Sequence, residues 1–133
     1  EMSRGLGDVY KRQAYVIVHK EAGEVIGNLT VYDKVPPEVV QQEAVVGKAG
    51  KSLSFAMSPA WQRRGLMLEA VHAVIDRLFS QENTDYIHCG YLSYNVPSKM
   101  LQEKLGFQEI FTEHFSLDGR EIEAVENVLW KTP

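Results

Sequence analysis

Residues 14–19 (AYVIVH) are rich in β-branched and aromatic side chains and predict a strand. Residues 20–23 (KEAG) supply a turn, and residues 24–33 (EVIGNLTVYD) predict its hairpin partner. Residues 34–50 show little periodicity and contain Pro36, Pro37, Gly47 and Gly50. They predict a long loop, of the kind that is usually functional or mobile. Residues 51–58 (KSLSFAMS) predict a third strand, closed by Pro59. Residues 66–80 (LMLEAVHAVIDRLFS) carry the clearest helical pattern. The polar side chains Glu69, His72, Asp76 and Ser80 recur every three or four positions and form one narrow stripe, so most of the helix is expected to be buried. Residues 84–91 predict a fourth strand. Residues 97–105 predict a short amphipathic helix, with Met100, Leu101 and Leu105 on one face, Asn95 and Pro97 as its start signal and Gly106 as its stop. Two final strands flank Asp118-Gly119, a strong two-residue hairpin signal.

This order predicts a single α/β domain without internal repeats. The central strand–helix–strand unit should join two parallel strands by a right-handed crossover, and the flanking hairpins make the sheet mixed. Residues 1–13 have neither helical nor strand periodicity. They are set apart as a disordered lead-in or remnant, leaving residues 14–133 as the domain.

Composition narrows the function. A hydrophobic content of 44% and a charged content of 24% are ordinary for a soluble globular chain. The apolar runs are too short to cross a bilayer, and no membrane partner is expected. A net charge of −4 gives no basic face for nucleic acid. A single cysteine, Cys89, fits a reducing cytoplasm. No metal is expected: His88 and Cys89 are adjacent on a strand and point to opposite faces, while His19, His72 and His114 have no ligand spacing. Gly50-Lys51-Ser52 ends like a phosphate-binding P-loop, but the first glycine is missing and a strand follows.

The chemistry concentrates in residues 61–67 (WQRRGLM), between the third strand and the long helix. The first N–H groups of a helix beginning near Gly65 have no partners within the helix, and the macrodipole places positive charge at the same point. Gly65 lets a ligand approach the backbone, and Arg63 and Arg64 add donors suited to phosphate. Together they describe an anion site at the C-terminal edge of a parallel strand. The plainer reading is a solvated loop with a turn glycine.

Here the chain resembles a known family. Gln62-x-x-Gly65-x-Met67, continued by Leu68-Glu69-Ala70, is similar to the Gln/Arg-x-x-Gly-x-Gly/Ala signature of the GNAT acetyltransferase superfamily. Asn95-x-x-Ser98 followed by Glu103-Lys104-Leu105-Gly106-Phe107 looks like a second block, typical of the branch that acetylates ribosomal-protein N-termini and of its small-molecule relatives. The two blocks stand in the family's order and spacing. The resemblance implies a mostly antiparallel mixed sheet whose two parallel strands splay apart around acetyl-CoA. It implies pantetheine contacts from backbone near Met57 and Ser58. The pyrophosphate would be held by N–H groups of Arg63, Arg64, Gly65, Leu66 and Met67 beside Gln62, and Asn95 and Ser98 would lie near the sulfur.

Three departures bear on mechanism. Met67 replaces a small residue, which is tolerable if its side chain points into the core. Gln102 stands where many relatives place an acidic tyrosine, leaving Ser98 as the nearest proton donor or, alternatively, as a first-turn residue bonding local backbone. No Asp or Glu lies in residues 51–59, where the base is often found. His88 is then a candidate base or water-orienting group, or a structural histidine. Asn95 is open to either cofactor contact or helix capping. Relatives also carry a strand and helices before the first hairpin, which commonly form much of the acceptor pocket. A chain starting here is expected to keep cofactor binding even if acetyl transfer fails, and association is possible through exposed apolar surface. The expected function is acetyl transfer from acetyl-CoA to a primary amine, either a protein N-terminus or a small molecule; the alternative is a non-catalytic acyl-CoA-binding module.

Overall fold

The computed structural model describes residues 12–62, 64–81 and 83–132. Among the described residues six strands and two helices follow the expected order, and a further short helix lies in the segment expected as a loop. Strands β1 (Arg12–His19) and β2 (Glu24–Tyr32) form the first hairpin. A short helix α1 (Pro37–Val40) precedes β3 (Gly50–Met57). Helix α2 (Leu66–Gln81) leads to β4 (Tyr86–Leu92), and α3 (Val96–Leu105) leads to the closing hairpin of β5 (Gln108–Leu117) and β6 (Arg120–Trp130). The strand order is β1-β2-β3-β4-β6-β5. Every neighbouring pair is antiparallel except β3–β4. β1 starts two residues earlier than the apolar pattern suggested, because Arg12 and Gln13 pair with Tyr32 and Val31.

The two sheet faces differ. Leu29, Val31, Leu53, Ile87 and Cys89 share a core with Met67, Val71, Ile75 and Leu78 of α2, and Leu101 and Leu105 of α3 pack against it. On α2 the polar stripe Glu69, His72, Asp76 and Ser80 is exposed as expected; Ala73 and Arg77 widen it. The C-terminus of α3 is closed by Gly106 at φ 95°. Its buried position is Gln102, whereas Met100, expected inward, is 51% exposed. The helical period of 3.6 places Met100 about 100° from Leu101, off the stripe shared with Leu105.

On the opposite face a second core holds Tyr86 and Val128 beneath Val35, Val39 and Val45. The segment expected as a long loop is therefore packed structure. Three valines too widely and irregularly spaced to register as a helix or a strand drop into the sheet from successive turns, and α1 supplies the middle one. Val39 is fully buried and Val40 is 43% exposed. Replacing Val39 by alanine should lower unfolding free energy by about 2 kcal/mol, while Val40→Ala should change it by less than about 0.5 kcal/mol. Denaturant titration of both variants checks the contrast.

Candidate functional site

The β3–β4 ladder is short. Gly50, Lys51 and Ser52 pair with Tyr86, Ile87 and His88, and among the described residues the pairing stops there. Both strands nevertheless continue, β3 to Met57 and β4 to Leu92, held by β2 and β6 on their outer sides. The result is an opening in the sheet. The Ser58 N–H donates to the Ile26 carbonyl at 2.8 Å, which makes Gly27 and Met57 a pair without direct ladder bonds. By the same alternation the peptide groups of Phe55 and Met57 turn away from β2, toward the opening. Side chains satisfy part of each lip. Gln62 Nε2 donates to the Met57 carbonyl (3.1 Å), and Gln102 Nε2 donates to the Gly90 carbonyl (3.1 Å). Of the two residues expected to face pantetheine, Met57 borders the opening, while Ser58 already commits its N–H to β2.

At the outer end of β3 a single 3-10 turn (Pro59–Trp61) precedes α2. Gly65 sits immediately before the first turn of α2 with φ 76°, in the left-handed region that favours glycine, and a Cβ there would meet nothing within 4 Å. The backbone at the helix start is thus open to a ligand. Leu66 is half-buried, and Met67 is buried in the α2 core, so its bulk leaves the backbone side clear. The Arg64 guanidinium lies 4.8 Å from the Trp61 ring centroid, and that ring tilts against His19 at 4.6 Å. Arg63 lies outside the described residues. The arrangement fits the pyrophosphate of a nucleotide-bearing ligand.

On the other lip, Asn95 caps α3, its Oδ1 accepting from the Ser98 N–H at 3.3 Å. Ser98 Oγ accepts from Gln102 Nε2 at 3.1 Å and so keeps its own proton for another acceptor. Gln102, 1% exposed, also accepts from Asn127 Nδ2 at 2.7 Å. The residue at the tyrosine position is a fully bonded structural amide. A separate open cleft of about 440 Å³, lined by Tyr91, Lys99, His114 and Glu123 among others, lies beside the tail hairpin and holds none of the expected site residues.

His88 occupies the last rung of the parallel ladder and is buried. Its Nδ1 lies 2.8 Å from Ser52 Oγ, and its Nε2 lies 2.6 Å from Glu126 Oε1. Ser52 stood out in the sequence only as part of the rejected P-loop pattern, and Glu126 did not stand out at all. They lie 36 and 38 positions from His88, and only sheet register brings them to it. Cys89 points to the helix side, where burial pushes its thiol up to about 12, with Glu126 adding to the shift, so it is no nucleophile near neutrality. Among the described residues no group of three or more metal-binding side chains converges, and no helix is long and apolar enough to cross a membrane.

Burial raises the carboxyl of Glu113 above its ordinary value, and the charges of Glu126 and Glu38 add to the effect. A raised carboxyl favours folding most below the ordinary carboxylate range, and that contribution is lost as pH rises through the shifted value. Glu113→Gln removes the charge at every pH. It should raise Tm by about 1–3 °C at neutral pH, with the gain vanishing as pH falls below the carboxylate range. Thermal melts across that interval check the sign.

Comparison with known proteins agrees with this architecture. The acetyltransferase (GNAT) domain model matches residues 4–108. No curated protein sequence matches. Among solved structures, ribosomal-protein-S5-alanine acetyltransferase from Vibrio fischeri aligns with a TM-score of 0.71 at 18% identity, over 89% of this chain and 61% of that one. An N-acetyltransferase from Staphylococcus aureus Mu50 aligns at 0.71 and 15% identity, over 91% of this chain and 68% of that one. Arabidopsis thaliana NAA60, in complex with acetyl-CoA, aligns at 0.68 and 12% identity, over 90% of this chain and 76% of that one. The chain therefore spans about three fifths of the length of the Vibrio fischeri protein. A mixed sheet parted between its two parallel strands, an exposed glycine at the following helix start and the match to the domain model agree: the chain belongs to the GNAT acetyltransferase family.

Proposed function

We propose that this chain binds acetyl-CoA in the opening between β3 and β4 and transfers the acetyl group to a primary amine, either a protein N-terminus or a small molecule. The observation that carries the reading is the early end of the parallel ladder at Ser52 and His88, with the start of α2 exposed at Gly65 beyond the outer end of β3. In this reading the peptide groups of Phe55 and Met57 pair with the pantetheine arm as an added strand would. The N–H groups from Gly65 to Met67, with Arg64 and Arg63, hold the pyrophosphate. Gln62 and Asn95 support the two lips through their bonds to Met57 and Ser98. Catalysis rests mainly on holding the amine against the thioester carbonyl. His88 acts as the base, and Ser98 delivers a proton to the departing thiolate. The single cysteine suits a cytoplasmic setting.

A non-catalytic acyl-CoA-binding module is the second reading. It is favoured by Gln102, whose amide cannot protonate a thiolate and is held by hydrogen bonds to Gly90, Ser98 and Asn127.

Thermal-shift titration with acetyl-CoA, controlled by adenosine diphosphate, followed by thiol release with a panel of amines, separates the readings. Stabilisation with release supports transfer; stabilisation without release supports the module. Gly65→Glu should lower acetyl-CoA affinity at least about 100-fold by placing an anion at the helix start. Gly65→Ala carries the same backbone strain without the charge and sets the baseline; equal affinity for both variants in calorimetry removes the helix start from the site. Ser98→Ala should lower kcat about tenfold, with the KM for acetyl-CoA within about twofold. Unchanged kcat would deny Ser98 a chemical role.

A further inference from the structure

The transfer reading takes His88 as its base but does not say how a ring only 7% exposed, beside a Ser52 only 6% exposed, receives a proton. The surroundings of the ring answer this. Ser52 and His88 are register partners, so their side chains share one face, away from α2. Glu126 pairs with Gly90, two rungs along β6 from the His88–Val128 rung, and reaches the ring diagonally. It does so across a position without a side chain. A Cβ on Gly90 would lie 2.5 Å from Glu126 Oε1 and 3.2 Å from its Cδ, so the carboxylate occupies that space.

The hydrogen bonds constrain the protons. A carboxylate only accepts, so Nε2 carries a proton and donates to Glu126, and in the neutral ring Nδ1 then accepts from the Ser52 hydroxyl. When the ring gains a proton, Nδ1 becomes a donor and Ser52 Oγ, after its proton rotates, becomes the acceptor. Neither bond is lost in either state. The carboxylate offsets the added charge in a site where an unpaired buried cation would be costly. A histidine serving structure alone needs one protonation state satisfied; this one is satisfied in both, and its variable nitrogen faces the hydroxyl at the rung where the strands part.

We propose that Ser52, His88 and Glu126 form a proton relay for the transfer reaction, with Ser52 as the group that meets the acceptor amine. This rests on the acetyl-transfer reading above. As the amine nitrogen bonds to the acetyl carbon and the carbon–sulfur bond breaks, with its electron pair going to sulfur, an amine proton passes to Ser52 Oγ. The Ser52 proton passes to His88 Nδ1. Glu126 stabilises the resulting imidazolium, which later returns its proton to solvent. Ser52 is catalytic in this scheme, and Glu126 is a positioning residue that acts through His88.

The test combines thiol-release kinetics with 15N spectra of histidine-labelled protein. Ser52→Ala should lower kcat about 100-fold with the KM for acetyl-CoA within about threefold, and Ser52→Thr, which keeps the hydroxyl, should recover most of the loss. Glu126→Ala should lower kcat by about 10- to 100-fold and convert His88 from the Nε2–H tautomer to a mixture. Gly90→Ala, which displaces the carboxylate without removing it, should change the His88 signal in the same direction. Full kcat in folded Ser52→Ala, or a wild-type ring in the Nδ1–H tautomer, overturns the relay alone. A wild type that binds acetyl-CoA but releases no thiol with any amine overturns the transfer reading and the relay with it.

Discussion

The structure is organised around a place where a sheet stops being a sheet. Beyond Ser52 and His88 two parallel neighbours continue without pairing. Peptide groups that lose a ladder partner away from water carry a penalty unless something else bonds them. Two glutamine side chains do this from opposite lips: Gln62 bonds the Met57 carbonyl, and Gln102 bonds the Gly90 carbonyl. Each is an amide standing in for the amide that a continuous ladder would have provided. The opening is therefore held by specific bonds, and Phe55 still presents its peptide groups to it.

Keeping strands apart requires each to be anchored elsewhere. β3 is fixed by six register pairs with β2, and β4 by seven with β6. On the helix side, α2 and α3 fill the floor with apolar side chains; on the other side, the valines of the segment between β2 and β3 cover Tyr86 and Val128. Tyr86 lies so close over Gly50 that a Cβ there would overlap its ring. This dense packing at the closed end of the β3–β4 ladder fixes where the strands are joined, and so where they part.

Much of this was legible in the sequence. The strands and helices follow from β-branched content, a polar stripe of period 3.6 and turn residues, and Asp118-Gly119 turns the last hairpin as expected, with both residues at positive φ. The segment between β2 and β3 was not legible, because its valines belong to turns and a four-residue helix, and aperiodic burial leaves no pattern to read. At the site, local motifs marked Gly65, Gln62 and Asn95, which act close to their own sequence neighbours. The roles of Ser52 and Glu126 were invisible for the opposite reason. Each is an ordinary strand residue that acquires meaning only when register brings it to His88 across 36 or 38 positions. The structural role of Gln102 was hidden likewise, since a residue judged by the tyrosine it replaces shows nothing of Asn127 and Gly90 until α3 docks.

The two polar networks stand on opposite sides of the sheet. Ser98, Gln102 and Asn127 belong to the helix side, with Asn127 in register with Cys89. Ser52, His88 and Glu126 belong to the other, with Glu126 in register with Gly90. Gly90 separates them: its carbonyl accepts from one network, and its missing side chain makes room for the other. In the proposed reaction this division gives each proton its own side. The incoming amine loses a proton on the face away from α2 through Ser52, and the departing thiolate gains one on the helix face from Ser98. A sheet that parts in the middle lets the reacting carbonyl sit between donor and acceptor without the two networks touching.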